Sequence, residues 1–250
     1  MKKKLLLVLF AVVYSTIFCF AEYEHKEPAG VEKTVKGSGN VVNKLRKVEN
    51  FDKLDIGGTF NIYLLQGNKE SIRVEADDNL HEYILTKVES GVLIIRIKEN
   101  INFRNPTKAN IYVTVKDISE IKIGGVSNLT SKGIVETNSL KMSVKGVSDV
   151  NLNINCNYLD IKASGVGDCI FKGKADMLVI NSSGTRDINA KKLEALRAAI
   201  SKSGVGDVSV NVSGDLEIKS SGTGDIIYYG SPVIKSIDKS GVGDIIKKTL

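Results

Sequence analysis

From residue 119 onward, apolar and polar positions alternate with period two, lose phase at a glycine, and resume in a new phase. Alternation of this kind builds half-buried strands, and a phase break marks a bend between two of them. The glycine recurs as "GVSN" from Gly125, "GVSD" from Gly146, "GVGD" from Gly165, "GTRD" from Gly184, "GVGD" from Gly204, "GTGD" from Gly222 and "GVGD" from Gly241, at spacings of 21, 19, 19, 20, 18 and 19 residues. Columns counted from it keep their character. Four residues before stand Ile121, Met142, Ile161, Ile180, Ile200, Ile218 and Ile237; four after stand Leu129, Val150, Cys169, Ile188, Val208, Ile226 and Ile245. The column one residue after, running from Val126 through Val166 to Val242, is read with them as core-facing, as is Phe171.

Two short strands and a bend cannot bury an apolar face alone, whereas stacked copies can. The pattern therefore predicts an all-β parallel β-helix, or solenoid, of ~19-residue coils. At about 4.8 Å per coil, seven coils make a rod roughly 34 Å long. The regular coils span 119–250 and an irregular lobe spans 39–118, together one solenoid domain. Within the lobe, "FDKLDIGGTFNIYLLQG" (51–67) carries one more copy, with Leu54 four before Gly58, Thr59 one after and Asn61 in the aspartate place. The strand-like runs 71–76, 83–88, 92–98 and 110–115 follow, and the turn "ESG" at 89–91 predicts some antiparallel pairing. "KKLEALRAAI" (191–200) is helix-like in composition, but Ala198 and Ile200 fall in strand columns, so it is read as an ordinary coil with a longer turn.

The first 21 residues stand apart. "MKKK" followed by an apolar run and "CFA" reads as a secretory signal peptide, with 22–38 as a flexible lead. A lipoprotein signal ending at Cys19 fits less well, because Phe18 takes the place of a small residue. Removing Lys2, Lys3 and Lys4 lowers the formal charge from +6 to +3, which leaves little case for nucleic acid. No later segment is apolar for long enough to span a membrane as a helix. The protein is expected to be exported, to the periplasm or the cell surface. Cys156 and Cys169 occupy different columns, which argues against a bridge between them.

The motif itself allows three chemistries. Calcium would need six to eight oxygens, and this repeat offers one carboxylate per coil, with Asn128 replacing even that. Catalysis by paired carboxylates would need one special position, whereas this residue repeats along the chain, and coils of 18–21 residues leave no length for cleft-forming loops. The third reading is a structural turn, with Gly125, Gly146, Gly165, Gly184, Gly204, Gly222 and Gly241 setting a bend. Asn128, Asp149, Asp168, Asp187, Asp207, Asp225 and Asp244 then fasten it by accepting nearby N–H groups. Only the first glycine looks geometrically demanding, since Ser127, Ser148 and Arg186 replace the second. Lys122, Lys145, Lys162, Lys202, Lys219 and Lys239 stand close enough in sequence to neutralise the carboxylates, and the serines before the glycines can bond coil to coil. The turn reading is adopted, with no catalytic residue, metal or cofactor expected.

Taken together, "FDKLDIGGTFNIYLLQG", "SIRVEADDNL", "ISEIKIGGVSNL" and the GVGD ladder resemble the GIN-type domain of auto-transporter adhesin heads, over roughly residues 40–248. That family consists of exported bacterial proteins of unknown function. The resemblance implies a right-handed β-helix, export and an adhesin-like role, and brings no catalytic residues with it. No run of alternating strands for a membrane barrel is present, so the sequence does not read as an autotransporter in itself. The functional expectation is a non-catalytic cell-envelope or surface binding module for a glycan or a protein. A polysaccharide-active β-helix enzyme and a structural envelope protein without a small ligand are the alternatives. Tyr228 and Tyr229 point to opposite faces of one strand, so at most one is exposed. The last coil shows no cap, which predicts a cover from a second subunit, as a homo-oligomer, or from the N-terminal segment.

Overall fold

A computed structural model describes residues 32–250. The leader and the first part of the lead lie outside the described residues. Among the described residues there is no α-helix, only a single 3-10 turn at Asp78–Leu80.

The chain opens with β1 (Lys33–Lys36) and β2 (Val41–Arg46), then a first pair of coil strands, β3 (Lys53–Ile56) and β4 (Thr59–Gln66). After β5 (Ser71–Asp77), β6 (Ile84–Glu89) and β7 (Val92–Ile97) form a hairpin. Its two loop residues, Ser90 and Gly91, have φ of 50° and 77°, the mirror-image turn that suits the twist of paired strands. β8 (Ile101–Arg104) and β9 (Ala109–Val115) complete the lobe.

The stacking order of this lobe departs from chain order. β7 and β9 lie parallel to β3 and β4, with Leu93 on Leu54 and Ile111 on Ile62. The next strands, β10 (Glu120–Ile123) and β11 (Val126–Val144), stack on the other side of the same pair, with Ile121 on Leu54 and Leu129 on Ile62. The earliest coil is thus held between two later ones. Thr59 meets Val126 and Asn61 meets Asn128, the register expected from the motif copy at Gly58. Beyond β9 the sheet continues antiparallel through β5 to β2, which closes this end of the rod. β1, within the lead expected to be flexible, pairs in parallel with β8, and Glu32 accepts a hydrogen bond from Asn102 Nδ2 (2.8 Å).

The regular coils follow as β12 (Val150–Ala163), β13 (Cys169–Ser182), β14 (Ile188–Lys202), β15 (Val208–Val212), β16 (Asp215–Ser220), β17 (Ile226–Gly230), β18 (Val233–Lys239) and β19 (Ile245–Lys247). All pair in parallel with the coil before. "KKLEALRAAI" lies within β14 as strand. As far as Ile218 and Ile226, the columns four before and four after the glycine form one continuous buried core with the lobe, and Ile245 packs partly against it. Cys156 and Cys169 are both free, and Cys169 sits in that core.

Candidate functional site

The Gly-x-x-Asp corners align along one edge of the rod, and their geometry follows from how closely the coils approach. A Cβ on Gly165, Gly184, Gly204, Gly222 or Gly241 would collide with the carbonyl oxygen of the corresponding glycine one coil earlier. These glycines do not have positive φ; close approach of backbone is what requires them. Where the third motif residue is glycine, that second glycine takes the positive φ (108° to 126° at Gly167, Gly206, Gly224 and Gly243), so it is demanding too. Where the third residue is serine, Gly125 and Gly146 take the positive φ instead, at 74° and 76°.

The side chains one step further form a polar ladder. The Oδ1 of one coil accepts the backbone N–H of the equivalent residue in the next: Asn128 from Asp149 (3.2 Å), Asp149 from Asp168 (2.9 Å), Asp187 from Asp207 (2.8 Å), Asp207 from Asp225 (2.7 Å) and Asp225 from Asp244 (2.7 Å). Asparagines extend it downward, Asn128 Nδ2 donating to Asn61 and Asn61 Nδ2 to Asn110. These five side chains therefore tie their coils to the next one, where the sequence suggested a bond within the same bend; Asp168 makes no such bond to Asp187. Most of these carboxylates are exposed, so repulsion between neighbours is about 0.9 kcal/mol in water. Of the six lysines expected to neutralise them, only Lys239 pairs with a ladder aspartate, Asp244, at 3.2 Å. The serine column contributes little coil-to-coil bonding; Ser203 Oγ reaches Ser182 O at 3.4 Å.

The column one residue after the glycine points outward, contrary to the core-facing reading. Val126, Val147, Val166 and Val205 are each just over half exposed (51–53%). The next residue turns in: Ser127, Ser148 and Arg186 are buried. Alternation keeps its phase through the corner, since Ile180 and Ser182 before Gly184 and Arg186 and Ile188 after it are all buried; the break read at the glycine is not there.

On the adjoining sheet, outward residues form two columns, Ser143, Lys162, Asn181, Ser201, Lys219, Asp238 and Lys145, Ser164, Ser183, Ser203. A depression of about 420 Å³ opens over them, and a second of about 370 Å³ adjoins it through Asn181 and Ser201. Among the described residues no three His, Cys, Asp or Glu side chains converge as metal ligands, and no helix is long and apolar enough to cross a membrane.

A family model described as "Putative auto-transporter adhesin, head GIN domain" matches residues 50–232. The chain belongs to this family. The GIN-domain chain is similar to a "putative adhesin" of Bacteroides fragilis, with 30% identity and a TM-score of 0.81 over 86% of this chain and 100% of that one. A "putative lipid binding protein" of Parabacteroides distasonis (24% identity, TM-score 0.69, 86% of this chain and 100% of that one) shares the fold. So does a "putative adhesin" of Parabacteroides merdae (20%, 0.63, 86% and 99%). No curated protein matches the chain in sequence.

Three features of this GIN domain escaped the sequence reading. Arg186, 3% exposed, sends its guanidinium inside the corner, where Nη1 donates to Ser148 O (2.9 Å) and lies 3.1 Å from Cys169 Sγ, and Nη2 donates to Val166 O (3.1 Å). Lys202, 2% exposed, donates to Thr223 O (2.8 Å) and Gly224 O (3.0 Å), and burial pushes its ammonium below the ordinary lysine range. Both buried cations are solvated by main-chain carbonyls of neighbouring corners; an arginine in a Gly/Ser column was the available signal for the first. Burial likewise pushes the Cys156 thiol up to about 11 and raises that of Cys169 despite Arg186.

The third is a ladder on the lobe. Tyr63 and Tyr112 stack with centroids 4.9 Å apart, Arg73 covers the outer face of Tyr112 and Lys132 lies over Tyr63. Glu75 accepts from Lys108 (2.7 Å), Asn110 (3.0 Å) and Tyr112 (3.0 Å), which holds its carboxyl down at about 2. With cations on the ring faces, the stack fixes the lobe's surface and offers no open aromatic platform. At the other end Tyr229 is buried, with the Lys191 ammonium 5.4 Å from its ring, and Tyr228 is half-buried against the core.

Proposed function

We propose that the protein is a non-catalytic, adhesin-like binding module of the exported cell envelope or cell surface, taking a glycan or protein partner on the outer faces of its rod. The observation that carries this reading is the repetition of outward columns. Valine and threonine, aspartate, and serine each recur coil after coil, so the surface chemistry is extended along the rod instead of focused at one point. Extended, repeated surfaces suit recognition of long partners. Membership of an adhesin-head family supports the same reading. The test is a glycan array together with a pull-down using the protein lacking residues 1–21. Saturable capture of a glycan or protein is expected. A blank on both, or turnover in a glycan-cleavage screen that is lost in Asp168→Asn or Asp207→Asn variants that still fold, overturns it.

Self-association through the last coil belongs to the same proposal. Ile237 is 48% exposed, whereas its column mates from Ile121 to Ile218 are buried, and every residue of β18 is exposed. The described N-terminal strands lie at the opposite end of the stack and do not cover it. Light scattering is expected to show a dimer that Ile237→Lys dissociates; a monomer at high concentration would end this part of the proposal.

A further inference from the structure

The face carrying the two outward columns holds an unusual set of unengaged polar groups. Three lysines elsewhere on this sheet are paired, Lys122 with Glu120 (3.0 Å), Lys219 with Asp238 (3.9 Å) and Lys235 with Asp215 (3.3 Å), while Lys141 makes no ion pair but stands in register between Glu120 and Asp160. Lys145 and Lys162 line the 420 Å³ depression and have no ion-pair partner among the described residues. They come from adjacent coils, Lys162 beside Ser143 and Lys145 two residues beyond it, so two positive charges share one small region unneutralised. Around them, the hydroxyls of Ser143, Ser164, Ser183 and Ser201 and the Asn181 amide likewise bond no other described side chain or backbone group. Asp160 lies one column away on this face, two residues before Lys162, and forms no ion pair with either lysine.

The lining chemistry narrows the ligand. Hydroxyls, one amide and two ammonium groups can donate, and no carboxylate or aromatic ring lines the depression. The missing ring removes the stacking platform a neutral sugar would use, while the two cations favour negative charge. The second depression continues the first along the rod axis through Asn181 and Ser201. Together they form a trough crossing several coils at about 4.8 Å each, close to the rise of a sugar unit in an extended polysaccharide. Past Ser201 the trough meets Glu217 and Asp238, so the charge preference is confined to the Lys145–Lys162 end.

We propose that this trough binds an acidic polysaccharide. A carboxylate or sulfate seats between Lys145 and Lys162, and sugar hydroxyls bond Ser164, Asn181, Ser183 and Ser201. The inference rests on the binding-module reading and names its ligand class. The two sources of negative charge, uronate and sulfate ester, are separated by the probes.

The test measures binding of the protein lacking residues 1–21 to polygalacturonate, dextran sulfate, neutral dextran and duplex DNA at moderate salt. Binding to one or both acidic glycans is expected, with little to dextran or DNA. A Lys145→Ser/Lys162→Ser double variant should lose about tenfold or more in affinity, and Lys219→Ser, in the same column but already paired, should change it little. Unchanged melting temperatures exclude misfolding of these surface variants. Equal binding to DNA would mark a general polyanion surface and overturn the proposal. So would equal binding to dextran, an unaffected double variant, or no binding to either acidic glycan. In that last case capture of a different partner in the array or pull-down would leave the module reading standing, so the two failures are distinguishable.

Discussion

A glycine at a corner of this rod is a statement about the neighbouring coil. At Gly204 the space a methyl group needs is occupied by Gly184 O, whereas at Gly124 the nearest atom, Ile56 O, lies at an ordinary 3.7 Å. Gly204→Ala is therefore expected to cost about 3 kcal/mol, or roughly 6–12 °C in melting temperature, while Gly124→Ala leaves it nearly unchanged; paired thermal melts check this. The repeat made such positions visible in the sequence. It did not reveal which way neighbouring side chains point. Val166 was read inward because valine is apolar, yet alternation runs unbroken through the bend, which turns Val166 outward and sends Arg186 into the interior. Hydrophobicity is a weak guide in a column where stacking on the next coil covers half of each side chain.

At the level of strands, the regular coils were legible because each repeats the same alternation. β11 to β14 even run unbroken through a second bend. The lobe was less legible, since antiparallel β2, β5 and β6 attach by edge pairing that leaves no periodic trace. The β2 end of this cap contains buried His81, whose Nε2 lies 3.1 Å from Val42 O and whose backbone carbonyl accepts from Arg46 (2.8 Å). Burial, followed by the Lys44 and Arg46 charges, pushes its pKa below the ordinary 6.5, against the bond to Val42. The unfolded chain thus takes up the proton first. The stabilisation is complete above about pH 6.5 and is lost as pH falls through the folded-state value. Amide protection factors, corrected for the intrinsic exchange rate at each pH, should fall between pH 7.5 and 5 more in β2 and β5 than in β12 and β13. A His81→Gln variant should lose that difference. Asp77 is buried beside it, yet bonds from Thr107 and Gly39 N–H (2.8 Å) outweigh its burial and keep it ionised, so it adds no opposing step in this range.

Across the whole molecule, burial falls off toward one end. Ile200 is enclosed by coils on both sides, and Ile237 by one. Ile200→Ala is expected to cost about 2–4 kcal/mol and Ile237→Ala under about 1 kcal/mol in the protein at low concentration, read by denaturant melts. The stack was foreseeable from its period, but its order was not, because nothing local marks that residues 92–115 pass beneath 51–66 before the chain climbs to 120. That detour has a kinetic consequence. The β3–β4 layer makes its upper contacts with partners 67 residues away, as between Asp52 and Ser119, and no shorter segment can supply them. Closing so long a loop is slow, whereas every later coil adds about 19 residues to an edge that already exists. Folding of this rod should resemble templated growth from a seed: a lag while the first layers assemble out of sequence, then rapid one-way addition toward the C-terminus. Pulse-labelled hydrogen exchange would show β3, β4 and β10 protected together and β18 last. Simultaneous protection of all coils would refute a seed.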